Sequence, residues 1–437
     1  MNATLAAFYP AHLAAVRRHA DEALATGGCD HLLVAAGTPL GKFLDDQDYP
    51  YVASPHFKYW LPLTTAPGSW VVHTPGAKPK LVFVQPNDYW NVVPQTPSGY
   101  WVEHFDIVVV RSAAEALAQL PKGHNAIIAP DAAAGSVGLN PSPVLDYLHW
   151  QRSFKTPYEL ALMREANRIG TRAHRAAAAA FRAGKSEFDI HLAYLATARQ
   201  TDAELPYGNI VALNEHGATL HYMTFDRTPP ATHRSFLIDA GASCAGYAAD
   251  ITRTYAAPDA GEFQALIDRM DAAQQGFVAK VRTGQNYTAL HLHAHHVIAE
   301  VLREHGFIRM NAESAVESGV TAAFLPHGLG HQIGAQVHDV AGFQVDEHGG
   351  RIEPPTGHPA LRQTRTLAPG MVTTVEPGLY FIDMLLAKLR EQPVAADIDW
   401  AKVDHFRQFG GIRIEDDVVC TEDAPENLTR DAFALAG

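Results

Sequence analysis

Asp239, Asp250, His331, Glu376 and Glu415 are residues of metal-binding type, each set in a short apolar or glycine-bearing stretch. The stretches are FLIDAG, GYAADIT, HGLGHQIG, TTVEPGLY and GIRIEDD. A charge at the end of a strand-like run is costly to bury unless something compensates it. Four carboxylates gathered in one place repel one another, and divalent cations are the usual remedy. With a single imidazole they make a hard, oxygen-rich donor set, suited to Mn²⁺ more than to metals that favour soft ligands. Two such cations a few ångströms apart lower the pKa of a water between them and make hydroxide available near neutral pH. A neighbouring histidine donor then stabilises the oxyanion of an attacked carbonyl.

Taken singly, these segments say less. Asp239 and Asp250 fit two antiparallel strands joined by a tight connection containing Gly241 and Gly246, with both carboxylates facing one pocket. As an isolated pair they are more often turn or capping aspartates. His327, His331 and His338 lie among Gly328, Gly330 and Gly334, a poor helix and a poor core, where glycine lets the backbone approach a ligand closely. Pro377 fixes the turn after Glu376. In a strand over 410–415, Arg413 and Glu415 share a face. Arg413 then either orients a neighbouring carboxylate or forms a weak surface ion pair.

These residues need elements to hold them. At 437 residues the chain exceeds a single ordinary core, which predicts two domains. Hydrophobic content of 47% with 19% charged residues describes a globular chain. A formal charge of −13 argues against phosphate-backbone binding, so no nucleic-acid partner is expected. Cys29, Cys244 and Cys420 form no CxxC pair and fit a reducing cytoplasm. No signal-peptide pattern opens the chain and no apolar run reaches the ~20 residues of a membrane span. A cytoplasmic protein without membrane contact is expected.

Residues 1–155 read as a small α/β domain. Strands are predicted at 31–36, 69–74, 80–85, 106–110 and 125–130, and helices at 11–26, 112–120 and 141–150. The acidic loop Asp45–Asp46–Gln47–Asp48 is expected to be exposed. Thr156, Pro157 and Glu159 spell a helix start with a capping box. Gly184 is the matching stop and Ser186 a second start. Residues 156–437 read as α+β: strands over 209–214, 219–224, 234–241 and 248–256, a helical block over 261–305, and strands over 372–381 and 410–420. Helices followed by strands, seen twice, hint at two similar halves. His291, His293, His295 and His296 have metal-like spacing but read as an exposed or subunit-facing helix. HExxH, GxSxG and P-loop motifs do not occur, and GLGHQIG lacks the spacing of a dinucleotide fingerprint.

LIDAG…GYAADITRTY, PHGLGHQIGAQVHD, VEPGLYF and FGGIRIED resemble the metal-binding motifs of the pita-bread metallopeptidases, which include methionine aminopeptidases, aminopeptidase P and prolidases. GKFLDDQDYPY and KPKLVFVQPNDYW resemble the short N-terminal domain of bacterial Xaa-Pro dipeptidases, a subgroup that includes organophosphorus acid anhydrolases. The resemblance implies a C-terminal pita-bread domain preceded by a smaller α/β domain. It implies a dinuclear Mn²⁺ site, with Co²⁺ or Zn²⁺ as substitutes. Asp239 would serve one metal and His331 and Glu376 the other, bridged by Asp250 and Glu415. His221, His327 and His338 would bind substrate and handle protons, with Glu376 shuttling a proton to the leaving proline nitrogen. Arg362 would receive the dipeptide carboxylate, and Arg413 is counted with it as substrate-binding. The implied activity is hydrolysis of Xaa-Pro dipeptides, with organophosphate triesters or fluoridates as side substrates. The alternatives are an aminopeptidase P taking longer peptides and a non-catalytic pita-bread binding protein. A homodimer is implied, bringing the Asp45–Asp46 loop or Trp90 near the neighbouring site.

Overall fold

The computed structural model describes residues 2–130 and 138–435. Its N-terminal part is built on a five-stranded mixed sheet of His31–Ala35, Trp70–His73, Lys80–Val84, Asp106–Val110 and Asn125–Ile128. His31–Ala35 lies between Trp70–His73, antiparallel, and Asn125–Ile128, parallel. One face is packed by the helix Asn2–Gly27 through Leu13, Val16, Ala20 and Leu24, all buried. That helix begins nine residues before the predicted start of 11. The other two predicted helices form at Ala113–Ala118 and Ser142–Arg152, and a short helix, Pro55–Trp60, was not predicted.

The helix Pro157–Arg182 opens the C-terminal part with the expected reciprocal cap. Thr156 Oγ1 accepts from the Glu159 N–H, and the Glu159 carboxylate accepts from the Thr156 N–H at 2.9 Å. It ends in a Schellman motif, Lys185 N–H to Ala180 O and Gly184 N–H to Phe181 O, with Gly184 at φ 71°. Ser186 caps the next helix, Glu187–Ala198. These two helices cover a three-stranded sheet of Ile210–Leu213, Ser235–Asp239 and Thr252–Ala256, with Ala173, Ala177, Phe181, Val211, Phe236 and Ile238 in the shared core.

The predicted helical block resolves into Gly261–Val278 and Tyr287–Glu304. They pack with Met371 and with Val375 and Val418 of a second three-stranded sheet, Val372–Val375, Asp416–Val419 and Glu426–Asn427. Each sheet thus carries two long helices on its outside and turns its other face inward. The ladder between them is short. Gly378–Tyr380 pairs with Gly411–Arg413, and a bridge joins Thr252 to Glu415.

Three expectations need correction. No strand forms over 219–224. After Ile210–Leu213 the chain turns at Asn214, φ 55°, into a short 3₁₀ segment, Asn214–Ala218. The buried Glu187 carboxylate then accepts from Leu213 N–H, Tyr222 O–H and Asp226 N–H, tying the segment to the helix Glu187–Ala198 instead of to a ladder. The stretch 410–420 is not one strand but two short ones, broken at Ile414–Glu415. The histidine helix is not exposed on the face that matters: His291 and His295 are each 1% exposed and meet His358 from a distant loop.

Candidate metal centre

Asp239 ends its strand opposite Thr252 in an antiparallel pair. The connection is not a simple turn but a hairpin of its own, Ser243–Cys244 against Tyr247–Ala248, closing at Ala245 and Gly246 with φ 46° and 87°. Both central residues are left-handed, as the tightest two-residue hairpin turns require. This detour places Asp250 two residues ahead of the strand Thr252–Ala256. Glu415 joins them because its N–H donates to Thr252 O at 3.0 Å.

The glycine-rich loop is zipped onto the strand leading to Glu376. Thr374 N–H donates to His331 O at 2.9 Å, and Glu376 N–H to Leu329 O at 2.8 Å. Gly330 is required between them, since a Cβ there would lie 2.1 Å from Thr374 O. Pro377 ends the strand Val372–Val375, leaving Glu376 at its tip.

The side chains converge. Ligand atoms of Asp250, His331 and Glu415 lie within 4.8 Å of one another. His331 Nε2 is 3.4 Å from Asp250 Oδ2 and 3.9 Å from Glu376 Oε1. His331 Nδ1 is 3.0 Å from Gln332 O, so a proton on Nδ1 leaves the Nε2 lone pair free to ligate. Asp250 Oδ1 accepts from Tyr207 O–H at 2.6 Å, and Glu415 Oε2 from Thr252 O–H at 2.7 Å. Asp239 Oδ2 accepts from Arg413 at 2.8 Å, while its Oδ1 is buried without a hydrogen-bond partner.

The electrostatics follow from this crowding. Burial, followed by repulsion from its carboxylate neighbours, holds Glu415 well above the usual carboxylate range. Burial also raises Asp239 and takes Glu376 to about 7, although Arg413 and His331 respectively pull them down. Burial disfavours the charged form of His331, but the Asp250 carboxylate outweighs it and holds His331 at about 9. Positive charge is therefore favoured among these oxygens, and a divalent cation supplies it while displacing the imidazole proton. With an orphaned carboxylate oxygen, a free imidazole nitrogen and oxygen donors on every other side, the residues fit a divalent metal site.

The ten residues expected to bind metal or substrate or to handle protons all line one cavity of about 530 Å³, within the range of small-molecule sites. His221, His327 and Arg362 stand on its walls with His338, whose ring is 4.3 Å from that of His331. Burial takes His327 down to about 3 and His338 to about 4, so both are neutral imidazoles at neutral pH. Arg413 turns its guanidinium to Asp239 and to Tyr380 O–H, 2.8 Å each, and is 4% exposed. Arg362 is exposed along the cavity wall.

Sequence reasoning missed Tyr207, Thr252 and Tyr380. The Tyr380 hydroxyl lies 2.8 Å from His327 Nε2 and accepts from Arg413, coupling the two. Thr252 carried a signal: it sits two residues from Asp250, on the same side of an extended chain. Tyr207 carried none, being 43 residues from its carboxylate.

Comparison with known proteins places this geometry in a family. Residues 7–150 match the model of the Xaa-Pro dipeptidase N-terminal domain, and residues 161–422 that of metallopeptidase family M24. The chain is 57% identical over 434 residues to an Xaa-Pro dipeptidase of Stenotrophomonas maltophilia, covering 98% of each chain. It is 55% identical to one of Xanthomonas euvesicatoria, covering 99% of each. Among solved structures it superposes on Pseudomonas aeruginosa aminopeptidase PepP with a TM-score of 0.71 at 23% identity, covering 96% of this chain and 97% of that one. For Escherichia coli aminopeptidase P bound to the inhibitor Pro-Leu the TM-score is 0.68, at 23% identity and 93% coverage of both chains. At that identity the likeness concerns the fold, which is the mixed helix-and-sheet pita-bread architecture. The full-length relatives, the two matching domain models and the converging carboxylates agree: the chain belongs to metallopeptidase family M24, on the branch that carries the Xaa-Pro dipeptidase N-terminal domain.

Proposed function

We propose that this chain is a metallo-dipeptidase that hydrolyses Xaa-Pro dipeptides with a trans amide. The observation that carries the reading is the polarity of the cavity: Asp239, Asp250, His331, Glu376 and Glu415 crowd one part of it, and Arg362 offers an exposed cation on its wall. A dipeptide ending in proline has complementary ends, a scissile carbonyl and a free carboxylate. Its tertiary amide has no N–H, so recognition rests on ring shape and that carboxylate, which an arginine fork binds in two places.

Two Mn²⁺ ions are the cofactors of this reading, with Co²⁺ or Zn²⁺ as substitutes. Asp239, His331 and Glu376 would hold them singly and Asp250 and Glu415 jointly. Metals there supply a hydroxide nucleophile near neutral pH and polarise the carbonyl. The chain's own groups do the rest. His327 gives its one N–H, on Nδ1, to Gly328 O and holds Tyr380 O–H at Nε2, 2.8 Å each, so it serves the developing oxyanion only by releasing the carbonyl or through the hydroxyl it positions. Glu376 carries a proton to the proline nitrogen, which leaves poorly until protonated. Arg413 keeps Asp239 aimed. His221 and His338 close the substrate side. Division of labour at 155/156, a cytoplasmic location and a homodimer complete the reading, with the exposed Asp45–Asp46 loop and Trp90, 81% exposed, turned to the partner's site. Hydrolysis of organophosphate triesters or fluoridates follows as a side activity, since the same nucleophile attacks phosphorus.

Arg362→Met tests the carboxylate receptor. Losing a charge-assisted pair worth about 2–3 kcal/mol should raise KM for Gly-Pro roughly 30- to 150-fold. A dipeptide amide, lacking the carboxylate, should be hydrolysed equally well by both proteins. Equal losses on both substrates would remove Arg362 from this role. An aminopeptidase P acting on longer peptides is the alternative on the same fold; preference for an Xaa-Pro tripeptide over the dipeptide would establish it. A metal-loaded protein with no hydrolytic activity would support the binding-protein reading.

Glu187 provides a second test. Its carboxylate ties Leu213, Tyr222 and Asp226 together and so fixes the turn that carries His221. Glu187→Ala should lower kcat/KM about 10- to 100-fold through misplacement of that turn, with metal content unchanged. Loss of metal in parallel would show that the carboxylate supports the centre instead.

A further inference from the structure

The helix Tyr287–Glu304 carries His291 and His295 one turn apart, on the face that meets the loop containing His358. The three rings pack within 4.6–4.8 Å of one another, centroid to centroid. His291 Nε2 and His358 Nδ1 are 2.9 Å apart. His295 Nδ1 lies 3.1 Å from Thr321 Oγ1, and its Nε2 is buried with no hydrogen-bond partner. His291 Nδ1 is likewise buried and unpartnered. One N–H···N bond between His291 and His358 accounts for two of the ring nitrogens and leaves these two orphaned, an expensive arrangement for a core.

We infer that His291, His295 and His358 form a mononuclear transition-metal site, separate from the carboxylate centre. One ring nitrogen from each lies within 4.8 Å of the others. Ligand nitrogens around a tetrahedral ion with bonds of 2.0–2.1 Å stand about 3.3 Å apart. The His291–His358 pair, at 2.9 Å, is already near that spacing, and the set as a whole spans no more than 4.8 Å. A hydrogen bond with Thr321 as acceptor puts the proton of His295 on Nδ1 and frees Nε2, the outer partner that ligating histidines usually have. All three rings are neutral at neutral pH, as ligands must be: burial takes His291 down to about 2 and His295 to about 4, and lowers His358.

The donor chemistry separates this site from the carboxylate centre. Three imidazoles favour Zn²⁺, Co²⁺, Ni²⁺ or Cu²⁺, whereas an oxygen-rich set suits Mn²⁺. One chain would therefore sort two kinds of metal. Three protein ligands leave a fourth position for water. An ion there ties the helix to the loop whose Leu361 N–H bonds His358 O at 3.2 Å and whose next residue is Arg362.

The test counts Zn²⁺ in the full-length protein after saturation and gel filtration. Wild type should retain one more ion per chain than His358→Gln. That difference stands whatever number the carboxylate centre holds, so it does not depend on the dinuclear reading. Thr321→Val keeps all three ligands and should keep the extra ion, bound about 10- to 100-fold more weakly. Equal Zn²⁺ content in wild type and His358→Gln would overturn the site. So would unchanged affinity for the extra ion in Thr321→Val, because the tautomer argument would then be wrong.

Discussion

Asp250→Asn is expected to abolish metal retention and hydrolysis together. Asp250 occupies the middle of the centre: one oxygen accepts from Tyr207 and the other faces His331 at 3.4 Å. Asparagine keeps the size and can still accept from Tyr207, so the fold should survive, but it brings no charge and one oxygen in place of two. If Asp250 serves both metals as proposed, that change leaves the position unfilled. Removing several kcal/mol of transition-state stabilisation corresponds to a loss of about 10³-fold or more in kcat/KM. The checks are metal content after dialysis and Gly-Pro hydrolysis with excess Mn²⁺. Melting in the presence of a chelator should fall below wild type only by the loss of the pairing between Asp250 and His331. Full activity with metal-depleted Asp250→Asn would refute the metal mechanism.

That prediction rests on residues legible in the sequence, and the reason is local. Asp239, Asp250, His331, Glu376 and Glu415 each sit in an apolar or glycine-rich stretch that makes little sense without a ligand. The capping box at Thr156 and the stop at Gly184 were legible because helix ends are encoded within a few residues. The five strands of the N-terminal sheet were legible because each is a short, mostly apolar run bounded by turns.

What escaped the sequence was set by tertiary partners. The segment 219–224 has strand-like composition, but its fate was decided by Glu187, more than thirty residues earlier. His291 and His295 look like surface residues by type. Only the packing of Thr321 and His358 against their helix shows why they are buried. The hairpin between Asp239 and Asp250 turns on Ala245 in a left-handed conformation, which alanine does not advertise. Arg413 showed which face it shares with Glu415 but not that its charge is spent on Asp239 and Tyr380.

Asp339→Asn is expected to destabilise the folded protein by about 3–5 kcal/mol, the cost of leaving buried charge unpaired. Asp339 follows His338 and is 2% exposed at its side chain, as Arg152 and Lys155 are at 1% each. Oδ1 accepts from Arg152 at 2.7 Å and Oδ2 from Lys155 at 2.9 Å, across 187 and 184 residues of sequence. The trio thereby pins the loop of His338 to the start of the C-terminal helices. Burial raises the Asp339 pKa, but Lys155 and Arg152 outweigh it and hold the carboxyl below its ordinary value. A carboxyl depressed in the folded state stabilises fully above its unfolded pKa, near 3.9. That contribution fades as pH falls through the folded value. Wild type should therefore lose stability on the acid side more steeply than Asp339→Asn, while at neutral pH the variant unfolds at clearly lower urea. Asp339→Asn combined with Lys155→Met removes one of the stranded cations, so it should recover part of the loss rather than add to it. A urea midpoint equal to wild type in the single variant, or additive losses in the double, would show that the pair is not what fastens the loop.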